Sequence, residues 1–244
     1  MTPKKTSLKL TALFAATLLA FSAQAKIITD VDGNKIDIPD RVERVADLWH
    51  ANNQIVLLLG CTDKLVATTT AIAANPWFAE VYPNIKNVPV LTNGETIQVE
   101  ELLSQKPEAV LLSKKSMLTE VNQAGLKGVR VSFQDFDGLK KTVRITAEVL
   151  GDKAPAVAES YIKELEDNIQ FVESRIKDVK EAQRPTVLHI TKGTDLLMID
   201  GGKSMIGEWI KMAGGKSVLP DEANMVTVTM ESIVEANPDC DYYR

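Results

Sequence analysis

The sequence predicts an α/β protein: two βα lobes with mainly parallel sheets, joined by one long helix, the second lobe incomplete. Three observations predict it. Short apolar runs such as Ala109-Val110-Leu111-Leu112 alternate with segments of helical period, the pattern of a parallel sheet covered by helices. From Pro155 to Gln183 there is no Gly and no internal Pro, and Val157, Tyr161, Leu165, Ile169, Val172, Ile176 and Val179 recur every three or four residues, as in one long amphipathic helix. After Arg184-Pro185 the βα pattern starts again at Thr186. The expected division is 1–25 leader, 26–151 first lobe, 152–183 connecting helix and 184–244 second lobe, truncated.

The leader comes first. Lys4, Lys5 and Lys9 precede an apolar run from Leu10 to Phe21, and Ala23-Gln24-Ala25 gives a small-x-small cleavage pattern. This is a secretory signal, too short to span a bilayer, which needs roughly 20 apolar residues. No Cys follows it to carry a lipid, so a free periplasmic protein starting near Lys26 is expected. Three of the 28 Lys and Arg fall in the leader, leaving 25 basic against 33 acidic residues and a formal charge of −8. An acidic chain with mixed charges argues against nucleic acid and anionic lipid as partners. Cys61 reads as a small buried hydrophobe.

Asp32-Gly33 between alternating apolar residues marks a hairpin. Strands are expected over 42–48, 65–68, 108–113 and 129–133, and helices over 55–59, 99–105, 118–125 and 139–150. In the second lobe a strand over 186–191 precedes a helix over 204–213. A faint internal repeat relates Gln98–Glu108 to Thr229–Asp239, each a short helix with an acid near its start, running into Pro plus an acid.

No catalytic pattern is present. Gly202-Lys203-Ser204 and Gly215-Lys216-Ser217 mimic the end of a phosphate loop, but Leu197 and Ile210 stand where its first Gly belongs. Two isolated His cannot build a zinc-protease site, and no Gly-x-Ser-x-Gly elbow occurs. No cofactor is expected. His50 and His189 each fall near the end of a lobe's first strand. Ligands of parallel α/β sheets sit outside the strands' carboxyl ends, so both imidazoles are expected in one crevice, as metal ligands or hydrogen-bond donors. The alternative for each is a structural histidine. Trp49, Asn52, Asn53, Asn75 and Asn93 are further candidate ligand-binding residues, and Trp77-Phe78 is read as either loop packing or contact. Lys114 and Lys115 are taken as a solvated pair rather than an anion site.

The ordered set of segments resembles the periplasmic binding proteins for iron-siderophores, haem and cobalamin. Its parts are Thr29-Asp30…Gly33…Ile38-Pro39…Arg44-Val45, Asn53…Leu58-Leu59-Gly60…Asp63-Lys64-Leu65-Val66, Val99-Glu100-Glu101-Leu102-Leu103…Lys106-Pro107-Glu108, the long helix, and Gly201-Gly202…Ile206-Gly207-Glu208-Trp209-Ile210…Ala213-Gly214-Gly215. The resemblance implies a monomer that carries a metal chelate or related metal-containing cargo to an ABC permease dimer. Relatives with a similar Trp-His-Ala-Asn-Asn segment imply molybdate or tungstate as an alternative cargo. It also implies that Glu100 and Glu231, one per lobe, dock on the permease. An exported hydrolase is the competing reading, disfavoured because no nucleophile is paired with a base.

The family pattern and the repeat both require an apolar strand after Asp239, which Cys240-Asp241-Tyr242-Tyr243-Arg244 does not resemble. Those residues can be encoded TGT GAT TAT TAT CGN, and dropping the first T yields codons for Val-Ile-Ile-Ile. A frameshift that truncates a longer, functional protein is therefore expected, leaving a chain with weak binding or none.

Overall fold

A computed structural model describes residues 25–192, 195–223 and 225–243; the leader expected before Ala25 lies outside them. The described residues open with a hairpin, β1 (Ala25–Thr29) and β2 (Lys35–Pro39), antiparallel about the turn at Asp32-Gly33. The first lobe follows as β3 (Val45–Asp47), α1 (His50–Leu58), β4 (Leu65–Thr69), α2 (Thr70–Ala73), α3 (Pro76–Val81), β5 (Val90–Thr92), α4 (Val99–Ser104), β6 (Ala109–Leu112), α5 (Lys115–Gln123), β7 (Gly128–Arg130) and α6 (Phe136–Leu150). Its five strands are all parallel, in the order β5-β4-β3-β6-β7.

Period-two alternation decides which helix each strand residue meets. Val45, Ala109 and Leu111 face one side, with Ile55 and Val56 of α1, Ile145 and Val149 of α6, and Ile162. Ala46, Val110 and Leu112 face the other, with Leu102 of α4 and Met117 and Val121 of α5. Both faces are covered, so β6 is buried at all four positions.

The connecting helix α7 spans Ala154–Ile176. It is shorter than the expected run to Gln183: a separate single turn occupies Glu181–Gln183. The second lobe comprises β8 (Thr186–Lys192), β9 (Asp195–Asp200), α8 (Met205–Met212), β10 (Lys216–Ser217), β11 (Met225–Thr227), α9 (Met230–Ala236) and β12 (Cys240–Tyr243). Its sheet is mixed rather than mainly parallel. β10 and β12 run parallel to β8, whereas β9 forms an antiparallel pair with β8 and another with β11. Gly193-Thr194-Asp195 between the apolar runs 187–190 and 196–199 is a turn signal that the expected pattern of a strand followed directly by a helix left unused.

The tail also differs from expectation. Cys240–Tyr243 forms a parallel ladder on β8, with Cys240 opposite Val187 and Tyr243 opposite Ile190. A ladder is built from backbone groups that every residue here possesses, and Tyr favours strands. The position that the repeat demands for a strand is therefore filled by this sequence.

The repeat itself is a structural one. Glu108 donates its N–H to Arg44 O at 2.8 Å and accepts from Arg44 N–H at 3.0 Å. Asp239 does the same with Thr186, at 2.9 and 2.8 Å. Lys106 and Asn237, aligned before the Pro, are both left-handed, with φ of 48° and 41°. Each lobe thus passes from a short helix into the next strand through the same turn, tied by the same pair of hydrogen bonds to the start of β3 or β8. The second lobe's buried apolar cluster is small, with Leu188, Ile190 and Ile199 at its centre.

Candidate ligand-binding site

In the first sheet the strand order reverses between β3 and β6, so the crevice at this switch point lies beyond their carboxyl ends. Trp49-His50 follows β3 there, and Ser113-Lys114-Lys115 follows β6. His50 is the first residue of α1 rather than the last of the strand. Its ring is exposed and stands edge-on to Trp49, with centroids 6.5 Å apart. Desolvation by the surrounding protein lowers its pKa below the ordinary value, which keeps the imidazole neutral and able to ligate or donate. Trp49 in turn packs on Phe133, centroids 5.0 Å apart.

The two helices that flank the switch point share a feature. α1 and α5 each begin with no side-chain cap and no acid in the first turn. α2, α3, α6, α8 and α9 are capped by Thr69, Asn75, Asp135, Ser204 and Thr229, whereas α4 and α7 also lack a side-chain cap, and α7 has no acid in its first turn either; α1 and α5 are the uncapped pair that stands at the switch point. Uncapped N–H groups and the helix dipole favour a negative ligand at such ends. Lys114 and Lys115 add cationic heads, held by Glu95 at 2.5 Å and Asp32 at 3.7 Å.

Two of the expected contact residues are scaffold. Asn52 and Asn53 are fully buried. Asn52 donates to Asp47 Oδ2 at 2.9 Å and accepts from Thr146 Oγ1 at 2.8 Å. Asn53 donates to the carbonyls of Asp47 and Trp49 and accepts from Thr68 Oγ1 at 2.7 Å. An amide dropped into an apolar core must find such partners, and helical spacing turned both inward while His50 remained outside. They fix the β3–α1 turn that presents Trp49 and His50. Asp47, absent from the expected set, is the centre of this network. Burial pushes its pKa up to about 8, against the opposing hydrogen bonds from Asn52 and the Trp49 N–H. An acid inside the run Val45-Ala46-Asp47-Leu48 was the signal available in the sequence.

Asn75 is spent on capping α3, accepting from the N–H groups of Trp77 and Phe78. Asn93 is exposed and closes a turn by accepting from Glu95 and Thr96. Phe78 is buried at 4 % exposure while Trp77 is 80 % exposed, so the pair divides between packing and surface. His189 lies inside β8 at 8 % exposure, with Nδ1 2.7 Å from Asp200 Oδ2, and Thr191 Oγ1 donates to the same oxygen. It occupies the place in β8 that Asp47 occupies in β3, counted from the paired turns. That is a buried sheet position, whereas His50 is exposed at the start of α1. Among the described residues no three His, Cys, Asp or Glu side chains gather as a metal site. Glu100 and Glu231 are both exposed, in the first turns of α4 and α9.

This is the architecture of a ligand-binding protein with paired α/β lobes and a helical bridge. The family model described as periplasmic binding protein matches residues 45–240, and the chain belongs to that family. An uncharacterised ABC transporter substrate-binding lipoprotein, YvrC of Bacillus subtilis, is 23 % identical over 220 residues, covering 87 % of this chain and 67 % of that one. The high-affinity heme uptake system protein IsdE of Staphylococcus aureus is 28 % identical over 175 residues, covering 69 % and 58 %. This chain therefore spans between about half and two thirds of the length of these relatives. The molybdate periplasmic binding protein MolA of Haemophilus influenzae, solved with molybdate bound, superposes with a TM-score of 0.79 at 21 % identity, covering 89 % of this chain and 73 % of that one.

Proposed function

We propose that this protein is the solute-binding component of an ABC importer, taking an anionic metal chelate in the periplasm and passing it to a permease dimer. The observation that carries the reading is the pair of uncapped helix ends at the switch point, with His50, Lys114 and Lys115 beside them. A ligand with negative groups and a bound metal suits a positive helix end and a neutral imidazole together. The Trp49–Phe133 pair offers an apolar face that a chelate has the body to cover. A tetrahedral oxyanion such as molybdate is the second reading. The open α1 terminus with His50 favours it, since those groups are enough for so small an anion.

The protein acts as a monomer without catalysis, in lobes bounded at 26–151 and 184–244 and bridged through 152–183. Its exposed acids Glu100 and Glu231 meet basic groups of the permease. Native mass spectrometry of protein taken from its own periplasm, with metal analysis, tests the reading. A metal-containing adduct lost in His50→Ala supports it, and its mass separates chelate from oxyanion. Turnover of simple esters or phosphates by the purified protein overturns it in favour of a hydrolase.

A further inference from the structure

The lobes are joined at a second place besides α7. Glu208, on the second lobe's α8, reaches the first lobe and accepts from the N–H of Phe136 at 2.6 Å. Phe136 is the first residue of α6. Its N–H is one of the donors a helix start leaves without an internal partner. Asp135 caps the same end by accepting from Gly138 N–H at 2.6 Å. A charged acceptor on a helix N-terminus makes a short, strong hydrogen bond.

Both ends of this bond are stiff. Ser204 caps α8 by accepting from Gly207 N–H at 3.2 Å. A side chain at Gly207 would run into the backbone of Gly202, and one at Gly202 would lie 2.7 Å from Pro220 Cα, so the start of α8 is pressed against its neighbours. On the other side, Thr142 Oγ1 donates to Ser132 O at 2.9 Å, tying the segment before α6 to its second turn. A side chain at Gly138 would come within 3.2 Å of Phe133 Cβ. Residues 132–138 therefore form one packed unit that contains Phe133, and Phe133 is the ring against Trp49.

We infer that Glu208 is a positioning residue for the candidate site. It holds the segment that carries Phe133 from across the lobe boundary, and so sets where Trp49, next to His50, stands. The lobe angle and the aromatic wall of the site are thereby fixed together. The role of this wall in cargo binding rests on the function proposed above; the positioning itself does not.

The test is made on the full chain without cargo, by amide exchange and by the indole N–H resonance of Trp49. Glu208→Ala should speed exchange of the Phe136 amide by about tenfold or more, as local opening becomes easier, and should shift the Trp49 resonance. Glu208→Gln, which keeps an acceptor, should restore most of both. If Glu208→Ala fails to fold, Phe136→Pro removes the same bond from the first lobe, since Pro is favoured at a first helical position and Asp135 is already extended there. It should shift the Trp49 resonance alike. A Phe136 amide within about twofold of the parent rate in folded Glu208→Ala overturns the inference. So does a Trp49 resonance that stays in place when either variant breaks the bond.

Discussion

Asp47 and His50 stand three residues apart, and desolvation by the surrounding protein moves their pKa values in opposite directions, up for the carboxyl and down for the imidazole. Asp47 holds a proton in the folded chain up to about pH 8, whereas in the unfolded chain it would release it near the ordinary 3.8. Between those values the unfolded state binds fewer protons. Rising pH therefore erodes stability by about 1.4 kcal/mol per unit from this group, and the loss is complete once pH passes about 8. Asp47→Asn should flatten the stability profile over that window, measured by urea unfolding at about pH 5 and 7.5. An unchanged slope would assign the effect elsewhere. His50, with its pKa lowered, should stay neutral down to pH values below its usual 6.5. Binding that uses its lone pair should weaken on acidification at lower pH than an ordinary imidazole would impose, as protonation removes the lone pair. His50→Ala should weaken cargo binding by tenfold or more, the scale of about 1.4 kcal/mol, and leave the melting temperature unchanged. Calorimetric titration beside a thermal melt checks both.

At the scale of elements, the paired turns into β6 and β12 are the clearest sign of internal duplication. Glu108 accepts from two main-chain N–H groups, Glu43 and Arg44, whereas Asp239 accepts from one, Thr186. Glu108→Ala should destabilise the first lobe by about 1–2 kcal/mol and Asp239→Ala the second by about 1 kcal/mol. Exchange of the amides at 43–44 and at 186 should report each loss separately. Loss confined to the wrong lobe, or none at all, would show the turns to be ornamental. The long helix buries a different stripe from the expected one: Ala154, Ala158 and Ile162 are buried, whereas Val157 and Val172 of the expected period are exposed at 37 % and 36 %.

Across the whole molecule the two lobes differ in how much core they hold. The first buries two clusters on opposite sheet faces. Among the described residues, the second centres on three buried apolar side chains and leaves Trp209, Met225, Met230 and Val234 more than half exposed. Apolar burial is the main stabilising term, so amides of β8, β9 and β12 should exchange through smaller openings than those of β3, β4 and β6. Equal protection in both sheets would contradict this. Delivery is also a property of the whole molecule. Glu100→Ala with Glu231→Ala should leave cargo affinity intact and abolish uptake in cells; a lost affinity would remove the docking role.

The residue pattern alone determined the alternation of strands and helices, the covered parallel sheet of the first lobe, the bridging helix and the repeat. Each of these is written locally, in apolar period and in Gly and Pro placement, and local preference agrees there with the final packing. The sequence also placed Trp49 and His50 at a strand's end. It did not separate ligand contacts from scaffold among the polar residues nearby, because His50, Asn52 and Asn53 lie on one turn of helix and only the neighbouring α6 and β4 decide which of them is enclosed. In the mixed second sheet the turn signal at Gly193-Thr194-Asp195 was available, but backbone pairing of Asp195–Asp200 and Cys240–Tyr243 with β8 depends on which edges the fold leaves open. The bond from Glu208 to Phe136 joins residues 72 apart in the chain; no local pattern encodes it, and only the approach of one lobe to the other brings it about.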